Sequence, residues 1–243
     1  MSQPFLSLSI LNFNEEDSIV AAARRCSEVL QTCGQTYELV LVDDGSTDRS
    51  RHLIADLAAR LPHCRAIFHP GNLGIGAGIR TCYFETIGQW ATWFPADMQA
   101  DPAELPRLLK HTHDADAVIT FRDPAKRQEP RKRKLISAFE RLLVRSLFGL
   151  KLRDLHWIRL FRRTILDQIQ PRSRSPFIDT EMVVRARQVG ARICQVELDD
   201  LPRRFGVSKG ARWRNLITSM SDLLALRARS LVGGFGTRAK RGT

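Results

Sequence analysis

The chain has 243 residues, 43% of them hydrophobic and 26% charged, and a formal net charge of +12 at pH 7. That length and composition allow a sizeable core and exclude wholesale disorder, collagen and a small disulfide scaffold. The five cysteines (Cys26, Cys33, Cys64, Cys82, Cys194) include no Cys-x-x-Cys pair and read as reduced thiols, Met1–Ile10 lacks the marks of a secretion signal, and no uncharged apolar stretch reaches the ~18 residues of a membrane span.

Residues 5–13 read as a buried strand. Asn14 is then expected to cap a helix running to about Gln31, with Glu15, Glu16 and Asp17 in its first turn, at the positive end of the helix dipole. A second strand, 37–42, ends at Asp43-Asp44-Gly45-Ser46, and a helix follows from about Arg49 to Arg60. A short third strand, 64–68, leads through a glycine-rich stretch into a helix over about 78–89. A fourth strand, 90–94, ends at Pro95-Ala96-Asp97-Met98-Gln99 and is followed by a helix from Pro102 to Lys110; a fifth strand covers 117–121. Strands alternating with helices at this spacing predict an α/β fold, a mostly parallel central sheet with helices on both faces. Residues 131–151 carry the clearest helical period, with Leu135, Ile136, Phe139, Leu142, Leu143, Ser146, Leu147 and Leu150 in one stripe and Lys132, Arg133, Arg141, Arg145 and Lys151 beside it. That pattern fits either core packing or a helix lying on an anionic bilayer. The organisation expected is a domain over 1–210, a C-terminal helix over 211–232 and a disordered tail over 233–243.

The charge is uneven. Residues 1–121 are net acidic by six, residues 122–163 net basic by ten, and residues 203–243 net basic by nine. Two basic blocks on an acidic first half favour a polyanionic partner: phosphate groups, an anionic membrane or nucleic acid.

In an open α/β sheet, ligands bind beyond the carboxyl ends of the strands. The polar residues at those ends are Asn12, Glu15, Asp43, Asp44, Asn72, Asp97 and Gln99. Each alone is equally an ordinary turn or cap residue, but four strand ends can bring them to one crevice.

The segments SILNFNEE, ELVLVDDGSTD, NLGIGAGIR and PADMQADP, in this order and each at a strand end, resemble glycosyltransferase family 2, and more narrowly its polyprenyl- and dolichyl-phosphate sugar synthases. The resemblance covers roughly residues 5–210 and implies a GT-A fold. It places Leu11, Phe13 and Glu15 against the base and ribose of a nucleotide, with Asp43 or Asp44 holding the base and Asn72 in the donor loop. Asp97 and Gln99 fall on the second and third ligands of the family's metal motif. The implied ion is Mg²⁺ or Mn²⁺, a hard cation that takes oxygen ligands and neutralises charge on a leaving diphosphate. The chain departs from the pattern at Pro95, where the first metal aspartate stands, and at Leu11, where the family has proline.

The same resemblance gives the basic half its roles. Arg122, Arg133 with Ser137, and Arg203, Ser208 and Lys209 fall near phosphates, which suits the planar fork of arginine. Arg159–Arg163 resembles the segment before the next helix. Asp179 and Glu181 fall where GT-A enzymes place an acidic pair; Asp179 is expected to position the acceptor or donor sugar, with a helix N-cap as the competing reading. The implied activity is inverting, metal-assisted transfer of a sugar from GDP-mannose or UDP-glucose to a polyprenyl phosphate, by a cytoplasmic enzyme peripheral on the inner face of an anionic membrane. The competing functions are a same-fold transferase with a soluble acceptor and a basic nucleic-acid-binding module. For the latter the chain shows neither zinc-finger spacing nor an RNP-like aromatic motif, so no nucleic-acid partner is expected.

Overall fold

A computed structural model describes residues 3–122, 131–155, 157–198 and 213–231. In chain order the elements are β1 (Leu6–Asn12), α1 (Ile19–Thr32), β2 (Tyr37–Asp43), α2 (Ser50–Arg60), β3 (Cys64–Phe68), α3 (Ile75–Phe84), β4 (Trp90–Pro95), α4 (Leu105–Leu109, after a 3₁₀ turn at Pro102–Glu104), β5 (Ala117–Phe121), α5 (Arg131–Phe148), β6 (Arg159–Arg162), α6 (Arg163–Leu166), α7 (Ile178–Gln188), β7 (Ile193–Glu197) and α8 (Trp213–Leu231). The seven strands form one sheet in the order β3-β2-β1-β4-β6-β5-β7. All its pairings are parallel except those of β6, which runs antiparallel to both β4 and β5. The carboxyl ends of β1, β2, β4 and β5 therefore share one edge.

The alternation of side chains along each strand builds a core on either face. Leu6, Leu8 and Ile10 of β1, Leu39 and Leu41 of β2, Phe94 of β4 and Leu160 of β6 pack under α1, α2 and α4. Ala91, Ile119 and Phe161 meet α3, α7 and α8 through Ile79, Tyr83, Met182 and Leu226. Each such fully buried aliphatic contributes roughly 1.5–3 kcal/mol relative to exposure. On the α3 face β1 carries small polar residues instead: the Ser9 hydroxyl donates to the Cys82 carbonyl at 3.0 Å, which lets the helix lie close.

The helix at the start of the chain begins later than expected, at Ile19. Asn14 has φ 51°, and its side-chain oxygen accepts from the Thr47 amide at 2.8 Å, so it joins two loops instead of capping a helix. No acidic residue lies in the first turn of α1. The helix expected over 78–89 runs from Ile75 to Phe84, because Gly88 donates its N–H to the Ser7 hydroxyl and Gln89 to the Pro4 carbonyl. Strands β6 and β7 lie outside the expected elements, whereas helices do follow Arg159–Arg163 and include Asp179, as α6 and α7, with Phe177 as the cap of α7. Among the described residues no helix is long and apolar enough to cross a membrane. The tail 233–243 lies outside the described residues.

Candidate active site

The site is built where β1, β2 and β4 leave the sheet. β1 ends at Asn12, whose side-chain N–H₂ donates to Asp43 Oδ1 (3.2 Å) and to the Ser46 hydroxyl (3.1 Å), and whose carbonyl accepts from the Asp44 amide (2.9 Å). Asp43, fully buried, also accepts from the Ser46 amide at 3.2 Å. Asp44 reaches the other way. Its Oδ1 lies 2.7 Å from His69 Nδ1 and accepts from the Leu73 amide at 3.0 Å, while Oδ2 accepts from the Gly74 amide at 3.0 Å. His69 Nε2 lies 2.9 Å from Thr81 Oγ1. Asp44 thus fastens the glycine-rich loop, and with it the start of α3, to the end of β2. Gly45 has φ +72°, and a Cβ there would lie 2.2 Å from the backbone of Gly71, so the two loops touch main chain to main chain. Asn72 is exposed on this loop.

Leu11, Phe13 and Glu15 follow along the same edge, each partly buried. Leu11 lies against α3 at Gly78, where a Cβ would come within 2.5 Å of its Cδ1. The Glu15 amide donates to the Ser50 hydroxyl at 3.1 Å, and its carbonyl accepts from Ser18 and Ile19. Beside them β4 ends at Pro95, paired with Leu11, and turns through Met98, which has φ 57°. Asp97, 7% exposed, accepts from the Gln99 amide at 3.1 Å. Asp97 and Gln99 therefore share one tight turn, adjoining β1 through the bond from the Ala96 amide to the Leu11 carbonyl.

Arg122 leaves the same edge at the end of β5. Its guanidinium donates to Asp154 at 2.8 Å and stacks 4.1 Å over the Trp157 ring, and both charged groups are nearly buried. Asp179 is the second residue of α7. It is not the N-cap, which is Phe177; the Ser175 hydroxyl accepts from Phe177 and the Ser175 carbonyl from Ile178. The Asp179 carbonyl accepts from Arg159, a wholly buried arginine at the start of β6, at 2.5 Å. Glu181, also wholly buried, accepts from the amides of Arg172 (2.9 Å) and Ser173 (2.7 Å) and from Arg185 (2.7 Å). Burial alone raises its carboxyl, but the bonds from Ser173 and the charge of Arg185 outweigh that and hold it below the usual carboxylate range.

The structure thus brings Leu11, Phe13, Glu15, Asp43, Asp44, Asn72, Asp97 and Gln99 to one edge, with Arg122 and Asp179 farther along it. The Arg133 side chain, and Arg203, Ser208 and Lys209, lie outside the described residues. His69, Asp154 and Trp157 were missed by sequence reading. A cavity of about 320 Å³ beside α3, lined by Arg80, Phe84, Ile169 and Arg172 among others, contains none of the expected site residues.

The family model for glycosyl transferase family 2 matches residues 7–170. The chain belongs to that family. As a family 2 glycosyltransferase it is 31% identical, over 94% of its own length and 71% of the relative's, to an undecaprenyl-phosphate 4-deoxy-4-formamido-L-arabinose transferase of Pectobacterium carotovorum. A transferase of the same name from Pseudomonas paraeruginosa is 32% identical over 94% of this chain and 68% of that one. Among solved structures, glucosyl-3-phosphoglycerate synthase of Mycobacterium tuberculosis bound to uridine diphosphate superposes with a TM-score of 0.71, 18% identity, 93% of this chain and 80% of that chain. The same enzyme with Mn²⁺, uridine diphosphate and glucosyl-3-phosphoglycerate gives 0.66 at 16% identity, covering 94% and 77%. The sheet and its helices are therefore the GT-A fold, as the sequence motifs implied.

Proposed function

We propose that this glycosyltransferase moves a sugar from a nucleotide donor to a polyprenyl phosphate with inversion. The similarity over 94% of the chain to transferases named for undecaprenyl phosphate carries the reading. An oxygen of the acceptor phosphate attacks the anomeric carbon from the face opposite the nucleotide. The new carbon–oxygen bond forms as the bond to the nucleoside diphosphate breaks, and the diphosphate departs with the electron pair. An ionised phosphate needs no strong base, so the chain's task is positioning and charge stabilisation. Leu11, Phe13, Glu15, Asp43 and the Asn72 loop would cradle the nucleotide at the β1–β2 edge. Arg122 would face a phosphate from its seat on Trp157, and Asp179 would orient the sugar or acceptor.

Among the described residues no three His, Cys, Asp or Glu side chains gather into a metal cluster, and Pro95 offers no side-chain ligand. The donor set of one carboxylate and one amide still fits a hard cation that draws its other ligands from a diphosphate, as Mg²⁺ commonly does. Asp97 and Gln99 would hold it, and Mg²⁺ or Mn²⁺ there would neutralise charge on the leaving diphosphate.

The donor read from the motifs is GDP-mannose or UDP-glucose. The names of the relatives favour a second donor, a nucleotide-linked 4-deoxy-4-formamido-L-arabinose. A surface for the bilayer is supported by α5, where Leu135, Phe139 and Leu142 are 71%, 54% and 58% exposed at one-turn spacing beside exposed Lys134 and Arg145. This is the pattern of a helix that lies in an anionic interface, and it supports a peripheral enzyme on the inner leaflet. The test is incubation with these three nucleotide sugars and a short polyprenyl phosphate, with products identified by mass. Transfer only to water-soluble acceptors would overturn the lipid reading.

A further inference from the structure

We infer that Asp222, on α8, is a positioning residue that bolts the segment 172–175 in place between the start of α3 and the start of α7. Asp222 Oδ2 accepts from the Arg174 amide at 3.1 Å, the Ser175 amide at 3.1 Å and the Ser175 hydroxyl at 2.7 Å. All three bonds end on one oxygen of a charged acceptor, the stronger class of hydrogen bond.

What Asp222 holds touches the starts of both α3 and α7. On one side, the Arg174 carbonyl accepts from the Gly76 amide at 3.2 Å, and a Cβ on Gly76 would lie 2.5 Å from the Arg174 backbone. Gly76 is the second residue of α3, directly after the loop that Asp44 fastens through Leu73 and Gly74. On the other side, Ser175 opens α7 through its bonds from Phe177 and Ile178, and Asp179 follows one residue later. Glu181 secures the other end of the segment through Arg172 and Ser173, from inside the core. Asp222 is the half-buried outer clamp, and it lies on an element beyond residue 170, where the family match ends.

Removing the carboxylate leaves two amides and a hydroxyl without their acceptor. The Arg174–Gly76 contact has no slack, so a shift of the segment displaces the start of α3 and the first turn of α7 together. A misplacement of about 1 Å at a reacting group can lower a rate by roughly 100-fold. This consequence for catalysis rests on the proposed role of the crevice.

The test compares Asp222→Ala, Asp222→Asn and Ser175→Ala in the full chain by amide hydrogen exchange and by sugar-transfer kinetics. Asn offers an oxygen at the same place and is expected to rescue. In Asp222→Ala, the amides of 172–179 and 75–78 should exchange roughly tenfold faster, while β2 stays protected, as expected for a local opening. The same variant should lose at least about tenfold in kcat with a smaller change in donor KM, because Asp44 still fastens the nucleotide-side loop at Leu73 and Gly74. Ser175→Ala deletes one of the three bonds to Asp222 and also the Phe177 bond at the start of α7, so it should open the amides of 177–179 while leaving that of Arg174 closer to wild type than Asp222→Ala does. The proposal is overturned by wild-type exchange in Asp222→Ala, by fast exchange with unchanged kcat, or by Asp222→Asn behaving like Asp222→Ala. If the wild type transfers no sugar with any donor tested, the functional reading has failed; the exchange arm then decides on the bolt alone, and unchanged exchange rejects it.

Discussion

Asp43 and Asp44 have the same chemistry and adjacent positions, yet Asp43 bonds to Asn12 and the Ser46 turn while Asp44 clamps the glycine-rich loop. Their neighbour Gly45 tests how tightly those loops meet. Gly45→Ala puts a Cβ 2.2 Å from the Gly71 backbone at φ +72°, whereas Gly34→Ala has a similar φ of +69° and nothing within 4 Å. In denaturant unfolding Gly34→Ala should cost ~1 kcal/mol for the left-handed backbone alone, and Gly45→Ala clearly more, because main chain must move as well. Equal losses would show that the two loops yield easily. For the proposed chemistry the residue to test is Asp97. Asp97→Ala should lower kcat by ~10²–10³, the usual loss when a group that stabilises developing charge is removed, and Gln99→Ala should weaken turnover less. Full activity in EDTA, or in Asp97→Ala, would reject the metal assignment. That the strand-end residues share one edge was legible, because parallel strands put their carboxyl ends together. The division of labour between Asp43 and Asp44 was not, because it depends on His69 and on two amides about 30 residues away. Arg122 was legible as a cation at a strand end, but its partner Asp154 lies 32 residues on and carries no local signal.

At the level of elements, the first five strands follow from apolar runs bounded by turn residues, and the structure forms them within two residues of the expected ends. β6 escaped because its four residues begin and end in arginine, which reads as a solvated surface. Arg159 is instead wholly buried and donates to the carbonyls of Leu155 and Asp179, and Arg163, just beyond β6, donates to those of Tyr83 and Gly88. Main-chain acceptors from distant segments make that burial tolerable, and a sequence pattern does not display them. At α7 the sequence left a helix N-cap and a substrate-positioning acidic pair as rivals; what it did not display is that Glu181 clamps main-chain amides from inside the core. Its lowered pKa gives this clamp a pH signature. A carboxylate depressed in the fold stabilises it fully above the unfolded value of ~4.3, and that contribution disappears as pH falls through the lower folded value. Glu181→Gln should cost about 3 kcal/mol at pH 7, since it leaves Arg185 buried without its counter-charge. The gap in unfolding free energy between wild type and Glu181→Gln should close as pH drops below about 4. A gap independent of pH would mean that the amide bonds, not the charge, carry the effect.

Over the whole molecule, the net charge of +12 overstates the basic surface, because several arginines of the first basic block are buried or half-buried against acceptors. Arg122 pairs with Asp154, Arg159 and Arg163 are held by carbonyls, and Arg162 reaches Asp116 and the carbonyls of Thr112 and Ala115. What faces outward in that block includes Lys134, Arg145 and Lys151, on or just after α5. The same helix is divided by burial: Val144 is fully covered and Leu143 and Leu147 partly so, while Leu135, Phe139 and Leu142 face solvent. The helical period in the sequence announced one stripe and therefore left core packing and membrane contact as rivals. The folded helix has room for both, on different faces. Two forces would then act on a bilayer, and they separate by salt. Each basic residue near an anionic leaflet contributes ~1 kcal/mol within a Debye length, and each inserted Leu or Phe contributes up to roughly 1.5–3 kcal/mol regardless of ionic strength. The purified chain should therefore co-sediment with vesicles containing anionic lipid at low salt and be largely released at high salt. Replacing Arg141, Arg145 and Lys151 with Glu should abolish the salt-sensitive part. Replacing Leu135, Phe139 and Leu142 with Ser should remove the residue of binding that survives high salt, with little loss of thermal stability because these side chains are already in water. Both variants should lower transfer to polyprenyl phosphate in vesicles more than transfer to a short soluble analogue. Equal losses on both acceptors, or no vesicle binding by the wild type, would reject α5 as the membrane face and return the soluble-acceptor reading.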